Sequence, residues 1–150
     1  MPRTNLHIYP STFTNETRIL KETSSIARRE IFDRIDIIAI GDNHLPAREQ
    51  LDECRRLWRV PLIASRLGRS VAAKVIRHVE WMLRILLSLL GRSVSCVNCH
   101  SLAVLPLGVV IKLLLRGRLI YETHELGTES ALGAGSRKRL ARIGRESGRG

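Results

Sequence analysis

Apolar residues fall along this chain in short blocks that alternate between two spacings. Leu6-His7-Ile8-Tyr9 is a brief apolar run halted by Pro10, the pattern of a buried strand. After the loop Ser11-Thr12-Phe13-Thr14, Asn15 suits a helix N-cap, with Glu16 in the first turn. Ile19, Leu20, Ile26 and Ala27 then recur at helical spacing, while Lys21, Glu22, Arg28 and Arg29 occupy the other face. Residues 35–41, β-branched and closed by Gly41, predict a second strand. The charged segment 47–57 reads as a surface helix, and 60–64 as a third strand whose Pro61 suits a sheet edge.

A long helix is predicted over 71–90, because Ile76, Val79, Met82, Leu83, Leu86, Leu87 and Leu90 share one stripe; Gly91 is its expected C-cap. Residues 94–98 give a fourth strand, 105–116 another helix stopped by Gly117, and 119–121 a fifth strand. Strands alternating with helices predict an α/β fold: a single Rossmann-like domain, its parallel sheet covered by helices on both faces. Ligands of such folds bind beyond the carboxyl ends of the strands, where strand order reverses. That rule directs attention to 10–15, to His100-Ser101, and to Thr123-His124-Glu125.

The longer apolar runs are too short to span a bilayer. The run at 85–90 has six residues, and 102–115 is broken by Pro106, Gly108 and Lys112, against the roughly 20 residues a spanning helix needs. The segment from Met1 to His7 has no apolar h-region, so no secretory signal is expected. Three cysteines make an odd count without such a signal, which points to a reducing cytosol and no disulfide framework. The balance of 25 basic against 14 acidic residues, +11 at pH 7, predicts attraction to anions without choosing among nucleic acid, anionic membrane and phosphorylated small molecules.

Candidate chemistry is sparse. Cys96-Val-Asn-Cys99-His100 matches the haem-attachment pattern, but it lies in a predicted strand, without an export signal or flanking helices to wrap a porphyrin. A zinc site would want a second Cys/His pair, so no metal or other cofactor is expected. Neither G-x-G-x-x-G nor a P-loop occurs, which disfavours a dinucleotide-dependent enzyme or a P-loop ATPase. His124 and Glu125 stand after the fifth strand, where an imidazole could orient or deprotonate a hydroxyl beside a carboxylate; a helix-capping pair is the plainer alternative.

Three stations share a resemblance. Leu6-His-Ile-Tyr-Pro with Asn15-Glu-Thr-Arg18 and Glu22, the stretch Val97 to Gly108, and Leu119-Ile-Tyr-Glu-Thr-His-Glu-Leu126 together resemble the amino-terminal domain of family 4 glycosyltransferases of the GT-B type. The resemblance implies an acceptor-side domain over 1–130, followed at 131–150 by a basic tail that begins a truncated helix or linker, with the donor-binding carboxyl-terminal domain absent. It implies retaining transfer of a sugar from a nucleotide-sugar to a lipid- or saccharide-linked hydroxyl, usually without a metal. His124 would be the catalytic residue, with Asn15, Arg18, His100 and Glu125 binding substrate. Ser101 departs from the acidic residue that many relatives carry after the histidine.

The partners so implied are a nucleotide-sugar donor, reached through the missing domain, and a glycan or lipid-linked acceptor. The expected location is the cytoplasm, at the inner face of the membrane where the acceptor is lipid-linked. Without a second wall to orient two substrates, the 150 residues alone are expected to be inactive. The alternative is a non-enzymatic, basic peripheral module that meets an anionic membrane surface through Arg137, Lys138, Arg139, Arg142 and Arg145. Specific nucleic-acid binding is not expected, because no recognition motif accompanies the charge.

Overall fold

The computed structural model describes residues 2–68 and 70–122. Six strands form one sheet in the order β3-β4-β2-β1-β5-β6. They are β1 (Thr4–Ile8), β2 (Arg34–Ile40), β3 (Arg48–Gln50), β4 (Arg55–Val60), β5 (Cys96–Cys99) and β6 (Arg118–Tyr121). Three helices, α1 (Thr17–Ala27), α2 (Val71–Leu89) and α3 (Leu105–Leu115), pack around it. All neighbouring strands run parallel except β3, which pairs antiparallel with β4 at one edge.

Strand alternation sorts the core into two layers. Leu6, Ile8, Ile38, Val60, Val97 and Cys99 face α2 and α3, where they meet Trp81, Ile85 and Ile111. Ile37, Ala39 and Leu57 point the other way, to Ile19 of α1 and to Phe13. Trp81 anchors the larger layer: its ring is fully buried and its indole N–H donates to the Ala39 carbonyl at 3.0 Å. Burying such a side chain is worth about 1.5–3 kcal/mol. The expected Rossmann-like sheet with helices on both faces is therefore the observed architecture, with one antiparallel edge strand added.

The predicted helix over 47–57 is instead a hairpin. Leu51, Cys54 and Leu57 have helical spacing, but Asp52 turns the chain: its carboxylate accepts from the backbone N–H groups of Cys54 (3.2 Å) and Arg55 (2.8 Å). This Asx turn reverses β3 into β4 and outweighs the weak periodicity. The third strand is consequently Arg55–Val60 rather than 60–64. Pro61 follows its end, and Ile63–Arg66 forms a 3-10 turn capped by Glu80, which accepts from Ile63 N and Ala64 N at 2.8 Å each.

Helix boundaries moved less. The residue preceding α1 is Glu16 rather than Asn15, and it makes no side-chain cap. Ser70 caps α2 by accepting from Ala73 N. Gly91 has φ of +76° just past that helix, as a glycine terminator should. The fourth strand sits at Cys96–Cys99, two residues beyond the expected start.

No described helix is long and apolar enough to cross a membrane. Yet α2 keeps a second apolar stripe outside the core, with Ile76 51%, Leu83 54% and Leu87 65% exposed.

Candidate functional site: a polar cluster at the switch point

From β1 the chain builds outward through β2 and β4 on one side, then through β5 and β6 on the other. The order therefore reverses between β1 and β5, and the crevice favoured for ligands lies beyond Ile8 and Cys99. The α1 face of these two strands carries side chains unlike the rest of the core. Asn5 and His7 on β1 and Asn98 on β5 occupy alternate positions, and His100 follows on the same face; all four are buried.

They are wired together. Asn98 Nδ2 donates to Asn5 Oδ1 at 2.5 Å, which leaves the Asn5 amide to donate to His7 Nε2 at 3.2 Å. Asn98 Nδ2 also lies 3.4 Å from that same ring nitrogen. Since amides present only N–H there, His7 Nε2 is the acceptor and its proton sits on Nδ1. Nδ1–H then donates to His100 Nε2 at 2.9 Å. His100 in turn carries its proton on Nδ1, which faces Glu122 Oε2 at 3.5 Å. Two buried amides thus fix the tautomers of both imidazoles.

The carboxylates complete the cluster. Glu22 of α1 comes within 3.9 Å of His7 Nδ1. Burial, then the charge of Glu122 and a hydrogen bond shared with it, push the Glu22 carboxyl up to about 7; Arg18 opposes that rise. Burial, reinforced by His100, drives His7 down to about 3, so its ring is neutral at physiological pH. Up to about neutrality Glu22 therefore keeps its proton, which it directs toward Glu122.

One ligand atom each from His7, Glu22 and His100 lies within 4.8 Å of the others, which invites comparison with a metal centre. The ring geometry favours the hydrogen bond. The two imidazoles are within 16° of coplanar and their centroids are 5.2 Å apart, as head-on rings joined through one N–H···N bond would be. Ligands of a tetrahedral ion converge from the sides rather than facing each other along one line.

The loop after β1 forms the crevice lip. Tyr9 sets its ring edge-on to His100, centroids 6.2 Å apart. Phe13 adopts φ of +58° although it is buried, a conformation that persists only where neighbours enforce it. Arg59 supplies that enforcement. Its guanidinium, 6% exposed, donates to the carbonyls of Thr12, Phe13 and Pro46 and meets Glu49 at 3.0 Å.

Of the residues expected from sequence, His100 lies in the cluster, but beneath the surface rather than on it. Arg18 is exposed on α1 and acts on Glu22 electrostatically; Asn15 is exposed at the crevice lip. His124 and Glu125 lie outside the described residues. Asn5, His7, Asn98, Glu22 and Glu122 were not singled out as site residues. A signal did exist: His7 and Asn98 are polar positions with an apolar residue on either side, Leu6 and Ile8 for the first, Val97 and Cys99 for the second. Cys96 and Cys99, three apart on one strand, point to opposite faces of the sheet, so the two thiols cannot serve one haem.

No protein-family model matches the chain, and no curated protein matches it. Among solved structures, it is similar to the sucrose-phosphate synthase of Thermosynechococcus elongatus, with a TM-score of 0.62 at 11% identity. The match covers 84% of this chain and 34% of that one, so the chain spans about a third of that structure's length. The likeness establishes a fold similar to part of a GT-B glycosyltransferase.

Proposed function

We propose that this chain is the acceptor-side domain of a glycosyltransferase that moves a sugar from a nucleotide-sugar to a lipid- or saccharide-linked hydroxyl. The observation that carries the reading is a protonatable cluster at the switch-point crevice of a fold shared with a sucrose-phosphate synthase. Glu122 is partly exposed there, and His100 holds a proton toward it. An acceptor hydroxyl at the crevice would meet a carboxylate whose orientation is set from below. His124 and Glu125, just beyond Glu122 in sequence, keep the roles the resemblance gave them: His124 near the transferred sugar and Glu125 as a sugar ligand. Arg18 and Asn15 suit an anionic or polyhydroxylated acceptor at the rim.

A GT-B cleft has two walls, and these residues supply one. Transfer therefore requires a donor-binding unit in addition to the 150 residues. Isotope-labelled UDP- and GDP-sugars with oligosaccharide acceptors test this directly. The expectation is saturable saccharide binding that Glu122→Gln and His124→Ala weaken, with no product. Sugar transfer by the chain alone would overturn the one-wall reading. Saccharide binding indifferent to both substitutions would overturn the site.

A second reading, peripheral membrane association, is favoured by the exposed stripe on α2, flanked by Arg77 and Arg84. Sedimentation with vesicles containing anionic lipid should fall for Leu83→Glu/Leu87→Glu; equal sedimentation by both proteins would remove that role.

A further inference from the structure

Parallel neighbours in a sheet of this kind are ordinarily joined by a helix that covers one face. Here β2 passes to β4 through β3, an edge strand, and on the α2 side the amino ends of these strands face the last turn of α2, whose Ser88 and Leu89 border an open space. Strand alternation sets Arg34 and Asp36 of β2, Arg56 and Trp58 of β4, and Arg48 of β3 on that face. The register places Asp36 beside Arg56 and Trp58 beside Arg48. The turn after α2 adds Arg92, and together these side chains line a cavity of about 500 Å³ toward the amino ends of β2 and β4.

Its charge is unbalanced. Arg34 Nη2 holds Asp36 at 2.8 Å, while Arg34 Nε, closed off from water, has no acceptor. Glu49, the other lining acid, is engaged by Arg59. The ion pairs among the described residues include none of Arg48, Arg56 and Arg92. Those three side chains are exposed, whereas Arg34 Nε is a buried donor without an acceptor, and such a group is rare enough to need a cause. Guanidinium groups match phosphate oxygens in a planar fork, and the half-buried indole of Trp58 offers a flat surface beside them. The volume is that of an ordinary small-molecule site.

We propose that this cavity is a second ligand site, which takes a small phosphate-bearing molecule whose sugar or base ring lies on Trp58. It goes beyond the glycosyltransferase reading and does not depend on it, because no residue of the switch-point cluster lines it. The phosphates would sit among Arg48, Arg56 and Arg92 and take up spare donors of Arg34.

Titration calorimetry with inorganic pyrophosphate and with UDP, at about 50 mM salt where screening is weak, tests the site. The expected result is one-to-one binding of both, UDP the tighter by about tenfold or 1.4 kcal/mol. Arg48→Gln/Arg56→Gln/Arg92→Gln should weaken both ligands at least 30-fold, and Trp58→Ala should erase only the preference for UDP. Arg92→Gln alone, in a turn, should weaken both about threefold without touching the sheet. A control with the same loss of charge elsewhere, Arg28→Gln/Arg29→Gln/Arg66→Gln, should leave affinity within about twofold. The proposal is overturned if the control loses as much as the site variant. It is equally overturned if the wild-type chain shows no saturable binding up to about 1 mM.

Discussion

His7 and His100 meet head-on, Nδ1 to Nε2 at 2.9 Å, across two neighbouring strands and 93 residues of sequence. The bond matters because it links the tautomer of one ring to that of the other. Asn5 and Asn98, both buried, decide which end of His7 accepts, and the choice is passed on to the nitrogen that faces Glu122. A crevice carboxylate is thus oriented by amides two residues deep in the sheet.

The cluster gives stability a pH profile whose two halves oppose each other. His7 stays neutral down to about 3, whereas an unfolded histidine protonates near about 6.5, so stability from this group rises with pH across that window. Glu22 keeps its proton up to about 7, whereas an unfolded glutamate releases it near about 4.3; its contribution falls as pH rises from there to about 7. Where the windows overlap, the slopes cancel. Thermal melts should therefore show little slope from this pair between about pH 4.5 and 6.5. Glu22→Gln should restore a Tm that rises with pH there, and His7→Gln a Tm that falls. Identical slopes in all three proteins would disprove the linkage.

Thiol chemistry should separate the cysteines. Cys54 is partly exposed at the β3–β4 turn, while Cys96 and Cys99 are buried. Burial raises all three thiols, Cys99 to about 11, with the Asp52 carboxylate adding to the rise at Cys54. At pH 8, Ellman's reagent should titrate one thiol of the native chain, more slowly than a free cysteine, and all three in denaturant. Fast release of two or more from the native chain would contradict the burial of β5.

Arg59→Leu should cost about 2–4 kcal/mol in urea melts, because the carbonyls of Thr12, Phe13 and Pro46 lose their donor together. Proteolysis of native protein should then open first at residues 11–14. Arg59→Lys keeps one bond at most and should fall between. A loss below about 0.5 kcal/mol would mean that the Phe13 backbone is held by something else.

Helix α3 comes so close to β5 at Gly108 that a Cβ there would collide with Cys99 Sγ and press on Leu119. Gly108→Ala should destabilise by about 1–3 kcal/mol. Cys99→Ala removes the nearer obstacle, so the double variant should cost less than the sum of the singles. Strict additivity would place the strain elsewhere.

The alternation of elements was legible because β2 and α2 are strongly patterned: four of the six residues from Ile35 to Ile40 are isoleucine, and the Leu stripe of α2 has no competing period. Segment 47–57 misled because three apolar residues at helical spacing were weaker than one aspartate side chain that folds back on the backbone. Of the candidate site, His100 could be found as a polar residue just past a strand. His7 and Asn98 were present in the same motifs but looked like strand filler. Their meaning depends on a strand pairing that no local window reveals. The arginines of the second cavity were less legible still, since Arg34, Arg48, Arg56 and Arg92 share no spacing until three strands and a helix end bring them together.

The position of β1 also orders events in time. It lies at the centre of the sheet, yet its first neighbour, β2, begins 30 residues downstream of Thr4, while its second, β5, arrives only at Cys96. During synthesis, when chains acquire structure from the amino end, β1, α1, β2 and β4 can associate long before β5 exists. His7 must then wait, its imidazole wet and its partner unmade, until His100 has left the ribosome. Within the described sheet the crevice comes into being late, and a nascent chain stalled before residue 96 would have a sheet and no site.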